Sequence, residues 1–256
     1  MKITVFSGTT EGRIVSRILA EEGHEVTVSV VSGYGRETQG TMPGIRVLTG
    51  PKLPGEVRRL LAGQDLLIDA THPYAAHITE TLRQVTKELG IPYRRLLRPA
   101  GKLPEGLSEG TGEEAGEIRF AGSAAEAAAL LNGTEGNILL TTGSKELHAY
   151  RGIPRERLMV RVLPSGKALE SCERENIPHR NIIAMQGPFR EELNRALIHQ
   201  FQIRWLVTKD GGSAGGFEEK IRAARSSGCG IIVIRRPEDR GLSMESILKE
   251  VRKGTE

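Results

Sequence analysis

The sequence predicts an α/β protein with two halves, each built on a parallel sheet flanked by helices. Apolar, strand-like runs alternate with helix-like segments over residues 1–98, a pattern typical of right-handed βαβ units. The alternation stops at residues 99–117, which are rich in glycine, proline and glutamate and show no periodicity. It resumes over residues 118–256. We therefore expect two domains, 1–98 and 118–256, joined by a linker or long loop, with a ligand cleft between them.

The first half is assigned from short apolar runs and from apolar residues at helical spacing. Its first helix places Ile14, Ile18 and Leu19 on one face and stops at Gly23. The predicted strands are 3–6, 26–31, 45–48, 66–70 and a weaker 93–97. The predicted helices lie near 12–22, 55–63 and 75–89.

The second half repeats these signals, and its last helix carries Met244, Ile247, Leu248 and Val251 on one side. The predicted strands are 118–120, 138–142, 158–163, 182–185, 205–208 and 230–234. The predicted helices are 124–131, 166–174, 189–200, 216–226 and 243–252.

Composition suits a globular protein, and its mild basic excess fits an anionic small molecule as well as it fits nucleic acid. Hydrophobic residues make up 38% and charged residues 27% of 256, and no apolar run approaches the ~20 residues of a membrane span. The net charge is +4, but the basic residues are scattered without interleaved aromatics, which disfavours nucleic acid. Cys172 and Cys229 lack metal-site spacing, so we expect a reduced, cytoplasmic protein without a bound metal.

A glycine-bearing turn follows the first predicted strand and opens the first helix. A helix amino end offers N–H groups and partial positive charge to a phosphate, and glycine allows close approach. We therefore predict that Gly8, Thr9, Thr10, Gly12 and Arg13 bind a nucleotide cofactor. The spacing departs from GxGxxG, so an ordinary strand-to-helix turn is the alternative interpretation.

The end of the second predicted strand bears on which nucleotide is bound. Sites that prefer NAD usually have an acidic residue there, which meets the ribose hydroxyls. This chain has none, and Ser32 and Arg36 stand nearby instead. They could bind the 2′-phosphate of NADP, or they could belong to a polar surface turn.

Residues 69–74 put polar groups directly beyond another predicted strand, where α/β proteins bind ligands. Thr71, His72 and Tyr74 supply a hydroxyl, an imidazole and a phenol. We predict that this turn faces a reacting ligand. Alternatively, His72 caps the following helix or only bonds its neighbours, and Asp69 bonds backbone amides of the turn.

Three further polar turns follow predicted strands of the second half, at 141–146, 186–189 and 208–216. Parallel strands end at one edge of their sheet, so these turns should line that edge. Lys145 and Lys209 would bring positive charge to it. Each turn taken alone could be a glycine loop with a solvated lysine. The sequence contains no GxSxG motif and no P-loop.

Taken together, these turns resemble precorrin-6A reductase (cobalt-precorrin-6A reductase), an enzyme family of cobalamin biosynthesis, over nearly the whole chain. Ser7 and Gly211 depart from the residues common there, glycine and serine. The resemblance rests on Gly8-Thr9-Thr10-Glu11-Gly12-Arg13, Asp69-Ala70-Thr71-His72-Pro73-Tyr74-Ala75, Gly90-Ile91-Pro92-Tyr93 with Arg98-Pro99, Thr142-Gly143-Ser144-Lys145, Gln186-Gly187-Pro188-Phe189, and Thr208-Lys209-Asp210 ahead of Gly215-Gly216.

The resemblance implies two Rossmann-like domains, with the cofactor and the substrate in the cleft between them. It implies reduction of one ring double bond in a tetrapyrrole by hydride from NADP(H) or NAD(H), with the proton coming from solvent or a side chain. The alternatives are another NAD(P)H-dependent reductase of a small anionic substrate, or a non-catalytic NAD(P)-sensing module.

The resemblance also implies roles for residues at these turns. Acetate and propionate groups of the substrate could pair with basic side chains, namely Arg94, Arg95, Arg98, Lys145 and Lys209. The expected catalytic residues are His72, Tyr74 and Lys209. Thr71 joins the expected cofactor-binding residues. The expected substrate-binding residues are Arg98, Ser144, Lys145, Gln186 and Asp210.

Overall fold

The computed structural model describes residues 1–98, 116–212 and 215–254. The predicted linker, 99–117, therefore lies outside the described residues except for its last two positions.

Strands and helices alternate through residues 1–98, and three of the four helices there bury apolar side chains. Val15 and Leu19 of the first helix are buried, at the spacing that one face of a helix requires. The strands are β1 (Lys2–Phe6), β2 (Glu25–Val30), β3 (Ile45–Thr49), β4 (Leu66–Asp69) and β5 (Tyr93–Arg95). The helices are α1 (Thr10–Glu21), α2 (Gly33–Gln39), α3 (Pro54–Leu61) and α4 (Ala76–Leu89).

The alternation continues after residue 116, as the apolar runs predict. The strands are β6 (Ile118–Ala121), β7 (Asn137–Leu140), β8 (Leu158–Val162), β9 (Ile182–Ala184), β10 (Ile203–Lys209) and β11 (Gly230–Ile234). The helices are α5 (Ala124–Leu130), α6 (Gly166–Arg174), α7 (Glu191–Gln200), α8 (Phe217–Ser226) and α9 (Met244–Lys253).

The first sheet is parallel, with strand order β3-β2-β1-β4-β5. From β1 the chain proceeds outward through β2 and β3 and then returns to β4 on the other side of β1. This reversal makes the carboxyl ends of β1 and β4 the position where such sheets bind ligands. Phe6 and Asp69 are register partners there, so the turns that follow them lie side by side.

The second sheet is also parallel, with strand order β6-β11-β10-β7-β8-β9. Its strand order reverses between β7 and β10. The apolar side chains of its strands pack with those of α8, including Phe217 and Ile221, into one hydrophobic cluster. Both sheets confirm the predicted α/β class.

The chain groups into two compact units, and the grouping corrects the predicted domain 118–256 at its end. Unit 1 comprises Met1–Arg98 with Pro237–Glu256, and unit 2 comprises Pro99–Arg236. The last segment belongs to unit 1 because Ile247, Leu248 and Val251 of α9 pack in the same cluster as Val15 and Leu19. Backbone bonds also join it to the strip after β5: Leu242 N–H donates to Arg95 O (2.8 Å) and Leu97 N–H to Leu242 O (2.9 Å).

Helix α2 was not predicted from the sequence. Gly33 and Gly35 lower the helix propensity of this segment. The segment also buries no residue, so its sequence shows no apolar periodicity that would predict a helix. Ser32 starts the helix by accepting a hydrogen bond from Gly35 N–H (3.2 Å). A Cβ on Gly35 would lie 3.0 Å from the Cβ of Val30, so the glycine lets α2 sit close against β2.

Candidate functional site

The turn after β1 leaves its backbone open. Gly8 has φ +143°, a conformation that side chains other than glycine rarely adopt. Apart from Gly8 and its two neighbours in the chain, no atom of the described residues lies within 4 Å of the point that a Cβ on Gly8 would occupy. The amino end of α1 follows at Thr10, and its N–H groups suit a phosphate. The open space at Gly8 and the N–H donors at the amino end of α1 therefore fit the phosphates of a nucleotide.

Thr9 ties this turn to the one that follows β4. Its hydroxyl accepts a hydrogen bond from Gly12 N–H (3.0 Å) and donates one to Ala70 O (2.9 Å). The first bond caps α1, and the second fixes the two turns against each other. In unit 1 the glycine turn and residues 69–74 therefore form one continuous surface.

Gly12 brings α1 into close contact with both turns. A Cβ on Gly12 would lie 2.5 Å from Ser7 Oγ and 2.9 Å from the Cβ of Ala70. Ser7 itself is buried, and its N–H donates to Ser29 O (2.9 Å). Glycine is thus required at position 12 for packing, whereas at position 8 it is required for backbone conformation.

The Asp69 carboxylate holds the turn after β4 in place through hydrogen bonds. The residue is fully buried, and its Oδ1 accepts hydrogen bonds from Thr71 N–H (3.1 Å) and from the Thr71 hydroxyl (2.7 Å). Its Oδ2 accepts from the Tyr93 hydroxyl (2.8 Å). Burial, reinforced by the charge of Asp69, raises the pKa of Tyr93, so the phenol keeps its proton as the donor. The Thr71 side chain is engaged in this network.

Arg95 completes the network as a buried cation between two carboxylates. Its Nη1 contacts Asp69 Oδ1 (2.8 Å), and its Nη2 contacts Asp239 Oδ2 (2.8 Å). Burial acts to lower the pKa of Arg95, but the hydrogen bond and charge of Asp239, together with the charge of Asp69, raise it overall. We call this arrangement the Asp69–Arg95–Asp239 clamp. Arg95 serves inside the protein, contrary to the expectation that it pairs with substrate.

His72 and Tyr74 follow Thr71 in the same turn, and both side chains are half-buried. Their rings stack with centroids 5.4 Å apart and an interplanar angle of 27°. Tyr74 N–H points to His72 Nδ1 at 3.5 Å, and Ala75 N–H closes the turn on His72 O (2.8 Å). The turn thus presents an imidazole and a phenol as one pre-arranged pair.

The basic residues predicted near the second strand lie around α2. Arg36 is exposed within this helix, and Ser32 is its cap. Arg13, predicted to bind the cofactor together with the glycine turn, extends toward α2, where its Nη1 donates to Thr38 O (3.4 Å). Two guanidinium groups therefore accompany the helix that follows β2.

Arg94 and Arg98 both make ion pairs within unit 1. Arg98 Nε lies 3.4 Å from Glu11 Oε1, and both side chains are largely buried. This pair connects the segment after β5 to the first turn of α1. Arg94 pairs with Glu250 of α9 on the exposed side of the same strand. The contact of Arg98 with substrate stays a prediction.

In unit 2 the turns after β7 and β10 meet where the strand order reverses. The Lys209 ammonium forms an ion pair with the Glu146 carboxylate, which joins the two turns. Thr141, directly after β7, adds a hydrogen bond from its hydroxyl to Val207 O (2.8 Å). Glu146 lies in the predicted polar turn 141–146, but its role as the partner of Lys209 could not be read from the sequence.

Asp210 is held by Arg236, which follows the end of β11. Its Oδ1 accepts hydrogen bonds from Gly212 N–H (3.2 Å) and from Arg236 Nη2 (3.2 Å). Ser144 is half-buried, whereas Lys145 and Gln186 are exposed. Arg236, like Asp239, was missed because nothing in its local sequence distinguishes it from other charged residues of that stretch.

A cavity of about 510 Å³ lies elsewhere in unit 2, toward the amino ends of its strands. Gly136, Arg204, Trp205 and Gly230 are among its lining residues. None of the predicted site residues lines it. Within residues 1–98, 116–212 and 215–254, no cluster of three or more His, Cys, Asp or Glu side chains could hold a metal ion. No helix in those same ranges is long and apolar enough to cross a membrane.

Comparison with known proteins identifies similar chains. Residues 2–252 match the family model described as precorrin-6x reductase CbiJ/CobK. Cobalt-precorrin-6A reductase of Methanothermobacter thermautotrophicus is 35% identical over 93% of this chain and 77% of its own. The Priestia megaterium protein of the same name is 32% identical over 97% and 96%. A solved structure, CobK precorrin-6A reductase, superposes with a TM-score of 0.73 at 22% identity, over 99% and 97% of the two chains.

Proposed function

The chain belongs to the precorrin-6x reductase CbiJ/CobK family, and from that premise we propose that it reduces one ring double bond of cobalt-precorrin-6A with hydride from NAD(P)H. The observation that carries the proposal is the Thr9 hydroxyl, which bonds Ala70 O and so holds the open glycine turn beside residues 69–74. Two relatives reported above are named cobalt-precorrin-6A reductase, which favours the cobalt-containing substrate over the metal-free one.

The proposed cofactor site uses the carboxyl edge of the first sheet. Gly8, Thr9, Thr10 and Gly12 hold the pyrophosphate at the amino end of α1. Ser32, Arg36 and Arg13 surround the 2′-phosphate of NADPH, which is therefore the proposed cofactor. When bound, the nicotinamide supplies the hydride, so the protein needs neither a metal nor a nucleophile for this step.

The proposed substrate contacts are the turns that the sequence predicts in each half of the chain. In unit 1, His72 and Tyr74 face the ring, with Thr71 and the clamp fixing their turn, and Arg98 binds a carboxylate. In unit 2, Lys209 holds the proton that the reduced ring takes up, and Glu146 orients its ammonium. Ser144, Lys145, Gln186 and Asp210 bind polar groups of the substrate.

The direct test incubates the chain with NADPH and cobalt-precorrin-6A and follows the nicotinamide absorbance. We expect oxidation of NADPH in equal molar amount to the substrate, and slower turnover with metal-free precorrin-6A. Faster turnover with metal-free precorrin-6A would reverse the substrate assignment. Binding of NADPH without oxidation, where an enzyme of the family turns over, would indicate a nucleotide-sensing role instead.

Replacing Arg36 with alanine is expected to weaken NADPH binding about 10-fold or more and NADH binding less than about twofold, because only NADPH carries the 2′-phosphate. Losing a hydrogen bond to a charged group has an effect of this size. Titration of nicotinamide fluorescence measures both dissociation constants. Arg17→Ala is the matched control, since Arg17 is an exposed arginine farther along α1. Equal losses for the two nucleotides would remove Arg36 from the phosphate site.

Replacing Lys209 with methionine is expected to lower kcat/KM about 100-fold, a typical loss when a positioned acid is removed. Lys209→Arg keeps the positive charge, so its KM should be close to that of the wild type. Its kcat should stay as low as that of Lys209→Met, because a guanidinium does not release its proton. Steady-state kinetics separates the two parameters. Lys167→Met, at an exposed lysine of α6, serves as the control. Normal kcat in Lys209→Arg would make solvent the proton source.

A further inference from the structure

Arg161 is a buried cation near the carboxyl end of β8 in the second sheet. It lies on β8 among apolar neighbours and retains 6% of its accessible surface. Its Nη1 donates a hydrogen bond to Asn194 Oδ1 (2.8 Å). Among the residues that the structure describes, no carboxylate forms an ion pair with it. Arg95 of unit 1, which is buried to a similar degree, has two.

A buried guanidinium without a counter-ion is unfavourable for folding, because it loses hydration and gains no opposite charge. Burial lowers the pKa of Arg161 to about 10, so the side chain still carries its charge at neutral pH. Arginine is the cation that proteins use for buried ion pairs and for recognition of carboxylates and phosphates, because its planar fork matches those groups. The lack of a counter-ion for Arg161 among the described residues therefore points to an anionic ligand.

The surroundings place this cation at the carboxyl edge of the sheet. Its guanidinium stacks over the Phe189 ring, with 4.2 Å between Cζ and the ring centroid. Asn194 is itself fixed, because its Nδ2 donates to Arg190 O (2.9 Å) and Phe189 O (3.3 Å). Phe189 follows the end of β9, and a Cβ on Gly216, before α8, would lie 3.5 Å from Phe189 O. The turns after β9 and β10 thus meet beside Arg161.

Some of the guanidinium remains available. None of its nitrogen atoms is both fully buried and without a hydrogen-bond partner, so the N–H groups that Asn194 does not use keep contact with solvent. Phe189 holds the plane of the guanidinium and Asn194 holds one nitrogen. The remaining N–H groups form a fork whose geometry matches a carboxylate.

We propose that Arg161 is a specificity-determining residue that binds one acetate or propionate carboxylate of the tetrapyrrole substrate. This assignment rests on the proposed function, which supplies the class of substrate. The assignment also explains why an apolar strand carries a buried arginine. The substrate carboxylate would supply the counter-ion when it binds.

The test measures stability and binding in the same variant, Arg161→Met. Removing an uncompensated buried charge should leave the urea midpoint unchanged or raise it. The KM for cobalt-precorrin-6A should rise about 10-fold or more, with the dissociation constant of NADPH unchanged within about twofold. Arg161→Lys, which keeps the charge but not the fork, should give an intermediate KM. A lower midpoint with an unchanged KM would overturn the proposal, because a purely structural arginine behaves that way.

Arg119 offers a matched control in the same unit. Its guanidinium also lies over an aromatic ring, Trp205, at 4.6 Å, but it is paired with Glu117. Arg119→Met should therefore lower stability and leave KM unchanged. If Arg161→Met does not fold, Arg161→Lys decides: a raised KM supports the assignment and a normal KM overturns it.

Binding of uroporphyrin, a porphyrin with acetate and propionate side chains, separates this proposal from the reductase proposal. A wild-type chain that binds uroporphyrin or cobalt-precorrin-6A through Arg161, yet oxidises no NADPH, would overturn only the reductase activity. A wild-type chain that binds neither compound would overturn the carboxylate site. Equal uroporphyrin affinity in wild type and Arg161→Met would do so as well.

Discussion

Replacing Arg95 with methionine is expected to lower the free energy of unfolding by about 3–5 kcal/mol, the usual result of breaking a buried ion pair from one side. The substitution leaves Asp69 fully buried without its cation and removes the link to Asp239. It also takes a donor from the Thr71 hydroxyl, which loses a 3.0 Å bond. Urea unfolding followed by circular dichroism measures the change.

Arg94 is the matched control for this experiment. The two arginines are adjacent in β5, and both pair with carboxylates of the segment after Pro237, but the Arg94–Glu250 pair is exposed. Arg94→Met should cost less than about 1 kcal/mol, as exposed pairs do. The double variant Asp69→Asn/Arg95→Met should recover part of the stability, because the buried charges leave together. Equal losses for Arg94→Met and Arg95→Met would contradict the clamp.

Replacing Gly12 with alanine is expected to destabilise the protein by about 1–3 kcal/mol, the range for overpacking a well-packed site. The added Cβ would meet Ser7 Oγ at 2.5 Å and the Cβ of Ala70 at 2.9 Å. Because α1 must then move away from the turns, the affinity for NADPH should fall about 10-fold, or about 1.4 kcal/mol. Thermal unfolding and nucleotide titration measure the two effects.

The direction of the stability change in Gly12→Ala tests the close contact between α1 and the turns. Within a helix, alanine ordinarily stabilises relative to glycine by about 1 kcal/mol. Gly55→Ala in α3 is the comparison, since the nearest atom to its added Cβ is the end of the Arg59 side chain at 3.9 Å. We expect Gly55→Ala to stabilise or have no effect. If Gly12→Ala also stabilises, the close approach of α1 to the turns is not a constraint on the fold.

The fold could be predicted because its signals are local. Apolar runs of strand length alternate with helix-like segments, and each pattern is contained within a few turns of chain. Of the apolar residues predicted on one face of α1, Leu19 is buried, but Ile14 is exposed because the buried face runs through Val15 instead. Helix α2 was not predicted, because its glycines lower the helix propensity of the segment. The family resemblance, which rested on several short motifs in order, is confirmed by the match over residues 2–252.

The turns that make up the candidate site were also predictable, because every parallel strand ends at the same edge of its sheet. The partners of their side chains were not. Arg94, Arg95 and Arg98 looked alike as basic residues beyond a strand. In the fold, Arg95 is enclosed by Asp69 and Asp239, Arg98 pairs with Glu11 and Arg94 pairs with Glu250.

The sequence by itself determined the α/β class, the family and the short polar turns that follow the strands, since apolar periodicity and turn chemistry act between near neighbours in the chain. Tertiary structure decided that α9 returns to unit 1, that Arg95 is internal, and that Arg161 is buried without a counter-ion from the part of the chain that the structure describes. These outcomes depend on burial and on contacts between residues far apart in sequence. The energy of a charge is set by the groups that surround it in space, and local sequence does not specify them.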